Sequence, residues 1–137
     1  MPYIFNWHDP EHSIIRIDIV GQVSWEEYTI VVDRIVDELA KANQRIDVIY
    51  NDSVGMPKGN PMPHLKASSA RMTAYKTLGL ITSVSSRSVS SFTKLMIDIM
   101  MRAYQIDNSR SGGFVTTLQE ALAIIEKSRA EDKVAAS

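Results

Sequence analysis

Hydrophobic and polar residues alternate along residues 14–20, with Ile15, Ile17 and Ile19 on one side and Arg16 and Asp18 on the other, which predicts a strand covered on one face. Residues 3–7 read as a shorter strand before it, and Asp9-Pro10-Glu11 as the turn that pairs the two as an antiparallel hairpin. Gly21 ends the second strand, and the pattern then changes to the helical period. Trp25, Tyr28, Val32, Ile35, Val36 and Leu39 fall on one helical face, with Asp33, Arg34, Asp37, Glu38 and Lys41 on the other. Ser24 and Glu27 form a capping box at its start, and Asn43 is suited to a left-handed stop.

Residues 45–51 make a third strand. Residues 52–63 hold three prolines and two glycines and form a loop. A weaker helix over 64–76 turns Leu65, Met72 and Tyr75 inward, and an apolar strand follows over 78–84. After a serine-rich turn over 85–91 comes a helix over 92–104, then a polar turn, a short strand over 114–116, and a second capping box, Thr117-Leu-Gln-Glu120. The last helix points Leu118, Ala121, Leu122 and Ile125 inward, and residues 131–137 form a fraying tail on a single domain of residues 1–130. The order β-β-α-β-α-β-α-β-α predicts an α/β fold. Its five-stranded sheet is mostly parallel, with an antiparallel strand at the N-terminal edge.

The helix over 92–104 has more apolar residues than one core face needs. Phe92, Leu95, Met96, Ile99 and Ala103 suit the core, while Ile97, Met100, Met101 and Tyr104 form a second stripe beside them. A neighbouring helix, a second copy of the chain or the wall of an apolar pocket would each cover that stripe. Self-association needs no further molecule, so the expectation is a homodimer interface at Ile97, Met100, Met101 and Tyr104.

Composition narrows the function classes. Fifteen basic residues against sixteen acidic ones leave a net charge of −1, with no basic excess to recruit nucleic acid. Without cysteine there is no disulfide, thiolate metal site or thiol nucleophile, which fits a reducing, cytoplasmic setting. No apolar run has the length of a membrane span, and the N-terminus lacks the pattern of a secretory signal.

The hairpin ending at residues 14–21, the helix start Ser24-Trp-Glu-Glu-Tyr28 and the closing Thr116-Thr-Leu-Gln-Glu-Ala-Leu-Ala-Ile-Ile125 together resemble the STAS-like fold of anti-sigma-factor antagonists and related small bacterial proteins. The likeness covers nearly the whole chain and lies in arrangement more than in signature residues. It implies a βα superhelix that serves protein–protein regulation or, in some members, small-ligand binding. Antagonists of that family carry an Asp-Ser pair at the start of the second helix, where the serine is phosphorylated. Here that place reads Met56-Pro-Lys-Gly-Asn-Pro-Met-Pro63, with no hydroxyl, so the phospho-switch is not carried over.

Candidate chemistry is sparse. The turn at Ser85, Ser86, Arg87 and Ser88 leads from a strand's carboxyl end into a helix and could hold an anion, although one serine acting as a cap would also explain it. Met56 and Met62 in the loop, with His64 just after it, could line a pocket or lid. His8 and His12 flank two carboxylates in a hairpin turn whose proline opposes convergence on a metal. His64 has no nucleophile at fixed spacing, so no catalytic residue, metal or cofactor is assigned. The expected role is a non-catalytic, homodimeric regulatory or interaction module with a regulatory protein partner. The alternative is a binder of a small anionic or amphipathic, lipid-like ligand between the 52–63 loop, the 85–91 turn and the 92–104 helix.

Overall fold

A computed structural model describes residues 2–54, 59–85, 95, 99, 102–103 and 109–136. Five strands form one sheet in sequence order: β1 (Tyr3–Trp7), β2 (Ile14–Ile19), β3 (Ile46–Asp52), β4 (Leu78–Ser85) and β5 (Ser111–Val115). β1 pairs antiparallel with β2, and the other neighbours are parallel, as the alternation of elements predicts. Helices α1 (Trp25–Lys41), α2 (Met62–Thr73) and α3 (Leu118–Ala136) complete the described elements.

The two faces of the sheet are covered differently. On the first, Ile15, Ile17, Val48 and Leu78 pack against Val31, Val32, Ile35 and Leu39 of α1 and Met72 of α2. On the second, Ile14, Ile49 and Val84 meet Ala121 and Ile125 of α3. The alternation of β2 accounts for the split, since Ile15 and Ile17 face α1 while Ile14 lies on the side of α3. The β1–β2 part of the second face is polar. There Asp18 accepts from Asn6, Asn51 and Arg16, and an Arg16 guanidinium nitrogen lies 3.0 Å from His8 Nδ1.

Both helix starts follow from sequence. The Ser24 hydroxyl accepts from the Glu27 N–H at 3.1 Å while the Glu27 carboxylate accepts from the Ser24 N–H, so the capping box is complete. Thr117 caps α3 by accepting from the Glu120 N–H, but the Glu120 carboxylate accepts from the Thr116 hydroxyl rather than reaching back to the cap. The end of α1 differs from expectation. Ala42 leaves the helix with extended backbone, and His12, not Asn43, is the non-glycine residue with positive φ among those described.

α3 is helical to Ala136, and Ser128, Arg129 and Asp132 in its second half have polar partners on and beside the sheet. The Asp47 carboxylate, fully buried on β3, accepts from the Nε and terminal nitrogens of Arg45, from the Leu80 N–H at 2.7 Å and from Arg129 at 2.8 Å. Arg129 also donates to the Ser13 carbonyl, and Arg45 reaches Ser128 and Asp132. An extra residue in β4 between the Ile46 and Val48 pairings aims the Leu80 N–H at Asp47. Gly79 makes room for this: a Cβ there would lie 2.1 Å from Asp47 Oδ1 and 2.4 Å from Arg45 Nε.

The apolar face assigned to the core in residues 92–104 takes a different position at the described residues. Leu95 and Ile99 are helical yet 56% and 49% exposed, and Ala103 is exposed as well.

Candidate functional site

In an open α/β sheet, ligands gather beyond the carboxyl ends of the parallel strands. Here that edge is built by the ends of β3 and β4 and by the first turns of α1 and α2. The Trp25 indole, at the start of α1, stacks face to face on the His64 imidazole, with ring centres 4.3 Å apart and planes 3° apart. Tyr28, one turn along α1, meets Trp25 edge-on and stacks on Tyr50 of β3 at 5.9 Å. The result is an aromatic column from the surface at His64 down to the sheet at Tyr50.

Three hydroxyls converge beneath the column. That of Tyr28 lies beside Ser68 of α2 and Tyr50, and Ser68 donates to the Leu65 carbonyl. Burial, moderated by Ser68 and Tyr50, raises the Tyr28 hydroxyl above its ordinary range. Burial and then the adjacent Tyr28 push Tyr50 well above it. The Tyr50 hydroxyl is fully enclosed, with the Tyr28 hydroxyl as its neighbour and no well-aligned hydrogen bond among the described residues.

Of the ligand, pocket and interface residues singled out from sequence, the structure describes Ser85, Met62 and His64. Ser85 is the last residue of β4, half-buried and in register with Asp52, while Ser86, Arg87 and Ser88 lie outside the described residues. Met62 is the first residue of α2 and is 3% exposed, held in the core with its N–H bound to the Asn60 side chain. His64 is exposed on the same helix start, and Met56 lies outside the described residues. The whole stripe Ile97, Met100, Met101 and Tyr104 also lies outside them.

The histidine pair of the hairpin has structural neighbours. His8 meets Arg16, His12 stacks on Trp7 at 4.5 Å, and Asp9 accepts from the Ser13 hydroxyl and the Ser13 and Ile14 N–H groups. Burial alone would raise the Asp9 carboxyl, but these hydrogen bonds outweigh it and hold it below its ordinary value. Among the described residues no three histidine or carboxylate side chains gather in a way that could hold a metal ion.

A cleft of about 150 Å³ lies at the opposite edge, where α1 ends, lined by Trp7, His12, Glu38, Lys41, Asn43 and Gln44. The Ser53 hydroxyl, past the end of β3, donates to the Ile19 carbonyl. Sequence reasoning missed the Tyr28–Tyr50–Ser68 group and the Asp47 cluster. Its signals were hydroxyl-bearing aromatics on inward faces and one carboxylate inside the apolar run Ile46-Asp-Val-Ile-Tyr50.

Compared with known proteins, the chain matches no family model, no curated protein and no solved structure. No helix among the described residues is long and apolar enough to cross a membrane.

Proposed function

We propose that the chain is a non-catalytic regulatory module of STAS-like type, a cytoplasmic homodimer that holds a regulatory protein on the helical surface around Leu95 and Ile99. The observation that carries this reading is the exposure of those two residues, 56% and 49%, four positions apart on one helical face. The sequential sheet order with its antiparallel first strand also supports it, being the arrangement that the resemblance implies. Two large aliphatic side chains in water give up burial that a partner would restore, roughly 1.5–3 kcal/mol for each when fully covered.

The test compares proteins retained from the source cell's extract by the wild type and by Leu95→Glu/Ile99→Glu, with matched circular dichroism. A defined protein that binds the purified wild type at least tenfold more tightly than the double variant supports the reading. Equal binding by both overturns it.

A second reading is a binder of a small anionic or amphipathic ligand at the carboxyl edge of the sheet. The buried Tyr28 and Tyr50 hydroxyls beneath the Trp25–His64 stack favour it. Thermal shift against acyl, phosphate and nucleotide compounds decides this reading, because a ligand that binds only the folded state raises the melting temperature.

A further inference from the structure

β1 is an edge strand, and its backbone groups divide cleanly between the sheet and the open side. The Val20 N–H donates to the Pro2 carbonyl and the His8 N–H to the Ile14 carbonyl, both at 2.8 Å. In the antiparallel register Tyr3↔Ile19 to Trp7↔Ile15, hydrogen-bonded pairs recur at every second position. Pro2, Ile4, Asn6 and His8 therefore turn their backbone groups toward β2. The N–H and C=O groups of Tyr3, Phe5 and Trp7 point away from the sheet.

Edge strands usually carry devices against pairing: a charge, a proline, a bulge or a covering segment. β1 reads Tyr-Ile-Phe-Asn-Trp, without charge or proline, and its register on β2 has no bulge. No other described strand pairs with its outer side. Its covered face presents half-buried Tyr3, Phe5 and Trp7, and the Arg34 guanidinium lies 3.9 Å over the Phe5 ring. Its other face carries Ile4, 49% exposed.

We infer that β1 pairs antiparallel with the β1 of a second copy, with Phe5 on the two-fold axis. This placement rests on the homodimer proposed above and differs from the stripe at Ile97, Met100, Met101 and Tyr104. The strand is its own complement in this register. Tyr3 stands opposite the second copy's Trp7, Phe5 opposite Phe5, and the three pairs are those whose backbone groups point outward. All six free N–H groups, three from each copy, then find carbonyl acceptors. The axis runs perpendicular to the sheet, so both copies keep α1 on the same side and the aromatic residues form one row across the junction, a favourable cross-strand arrangement. The strand itself carries no charge, while the two Arg34 guanidinium groups over the Phe5 rings approach each other near the axis, so the dimer should tighten as salt rises. Any other register of two antiparallel β1 strands leaves part of this set unpaired.

The test uses the lack of native cysteine. Cα atoms of a hydrogen-bonded antiparallel pair are about 5.5 Å apart, within reach of a disulfide, whereas the two copies of residue 3 would be roughly 14 Å apart. Phe5→Cys is therefore expected to cross-link into a covalent dimer on mild oxidation, and Tyr3→Cys to stay monomeric in reducing-free gels. Tyr3→Pro removes an outward N–H without touching the β1–β2 ladder and is expected to raise the dimer dissociation constant at least tenfold in sedimentation, while Met101→Lys leaves it unchanged. Equal cross-linking of both cysteine variants, or a dimer broken by Met101→Lys and insensitive to Tyr3→Pro, overturns the β1 placement and leaves the homodimer standing. A wild type that sediments as a monomer at every concentration overturns both. Should Tyr3→Pro fail to fold, the contrast between the two cysteine variants decides.

Discussion

The Asp47 carboxylate sits fully buried with Arg45 and the Leu80 N–H on one oxygen and Arg129 on the other. Taking the carboxylate away leaves two guanidinium groups facing each other in a poorly hydrated space. Asp47→Ala is therefore expected to lose about 3–5 kcal/mol in urea unfolding, the range for removing one member of a buried ion pair. Gly79→Ala should approach that loss without touching a charge, since its new methyl would displace Asp47 Oδ1 and Arg45 Nε. A Gly79→Ala protein as stable as the wild type would show that β4 moves aside freely. Tyr50 behaves differently. Its hydroxyl is enclosed with only the Tyr28 hydroxyl beside it, so Tyr50→Phe is expected to change stability by no more than about 1 kcal/mol at neutral pH. Its ionisation is also displaced upward by burial and then by Tyr28. A raised folded value means that this stability is fully present below the unfolded tyrosine value of about 10 and is lost as pH rises beyond it. The alkaline limb of the stability curve, followed by circular dichroism, should therefore be shallower in Tyr50→Phe.

At the scale of elements, α3 is two helices in function. Its first half packs Ala121 and Ile125 on the sheet, as its apolar spacing predicts, and its second half is tied by polar groups that no periodicity reveals. Removing residues 131–137 deletes Asp132, 69% exposed, and should cost no more than about 1 kcal/mol. Arg129→Ala should cost several times as much, since it strips the partner of a fully buried carboxylate. Equal effects in chemical denaturation would refute that division. The same contrast explains what could be read in advance. β2 and α1 each bury one face, so the periods of their apolar residues identified both elements, and Ser24 with Glu27 located the helix start. The pairing of Arg129 with Asp47 could not be read in advance, because the two lie 82 positions apart and no local pattern encodes a pairing at that separation. Leu95 and Ile99 misled for a related reason: helical spacing shows that apolar residues share a face, not whether the sheet or the solvent lies beyond it.

For the whole molecule, stability and association should separate by surface. Leu95→Glu/Ile99→Glu changes residues that already meet solvent, so the unfolding free energy should shift by no more than about 0.5 kcal/mol, usual for surface changes, while partner binding falls. A large drop in melting temperature would place those side chains in the core after all. The aromatic column at the carboxyl edge and the ionic cluster at the other edge likewise lie at opposite ends of the parallel strands, so changes in one should add to changes in the other without coupling.

The Asp47 cluster also bears on the order in which the chain is made. Arg45 and Asp47 leave the ribosome together, while Arg129 follows 82 positions after Asp47. At about 5–20 residues per second, that interval is roughly 4–16 s. Throughout it Asp47 has only half of its native cationic partners, and burying it that way is unfavourable. The nascent sheet is therefore expected to stay open at this edge until Arg129 arrives, and ribosome-stalled chains ending before and after Arg129 should differ in protease resistance. A pause in translation between these codons would lengthen the time that β3 and β4 spend uncovered.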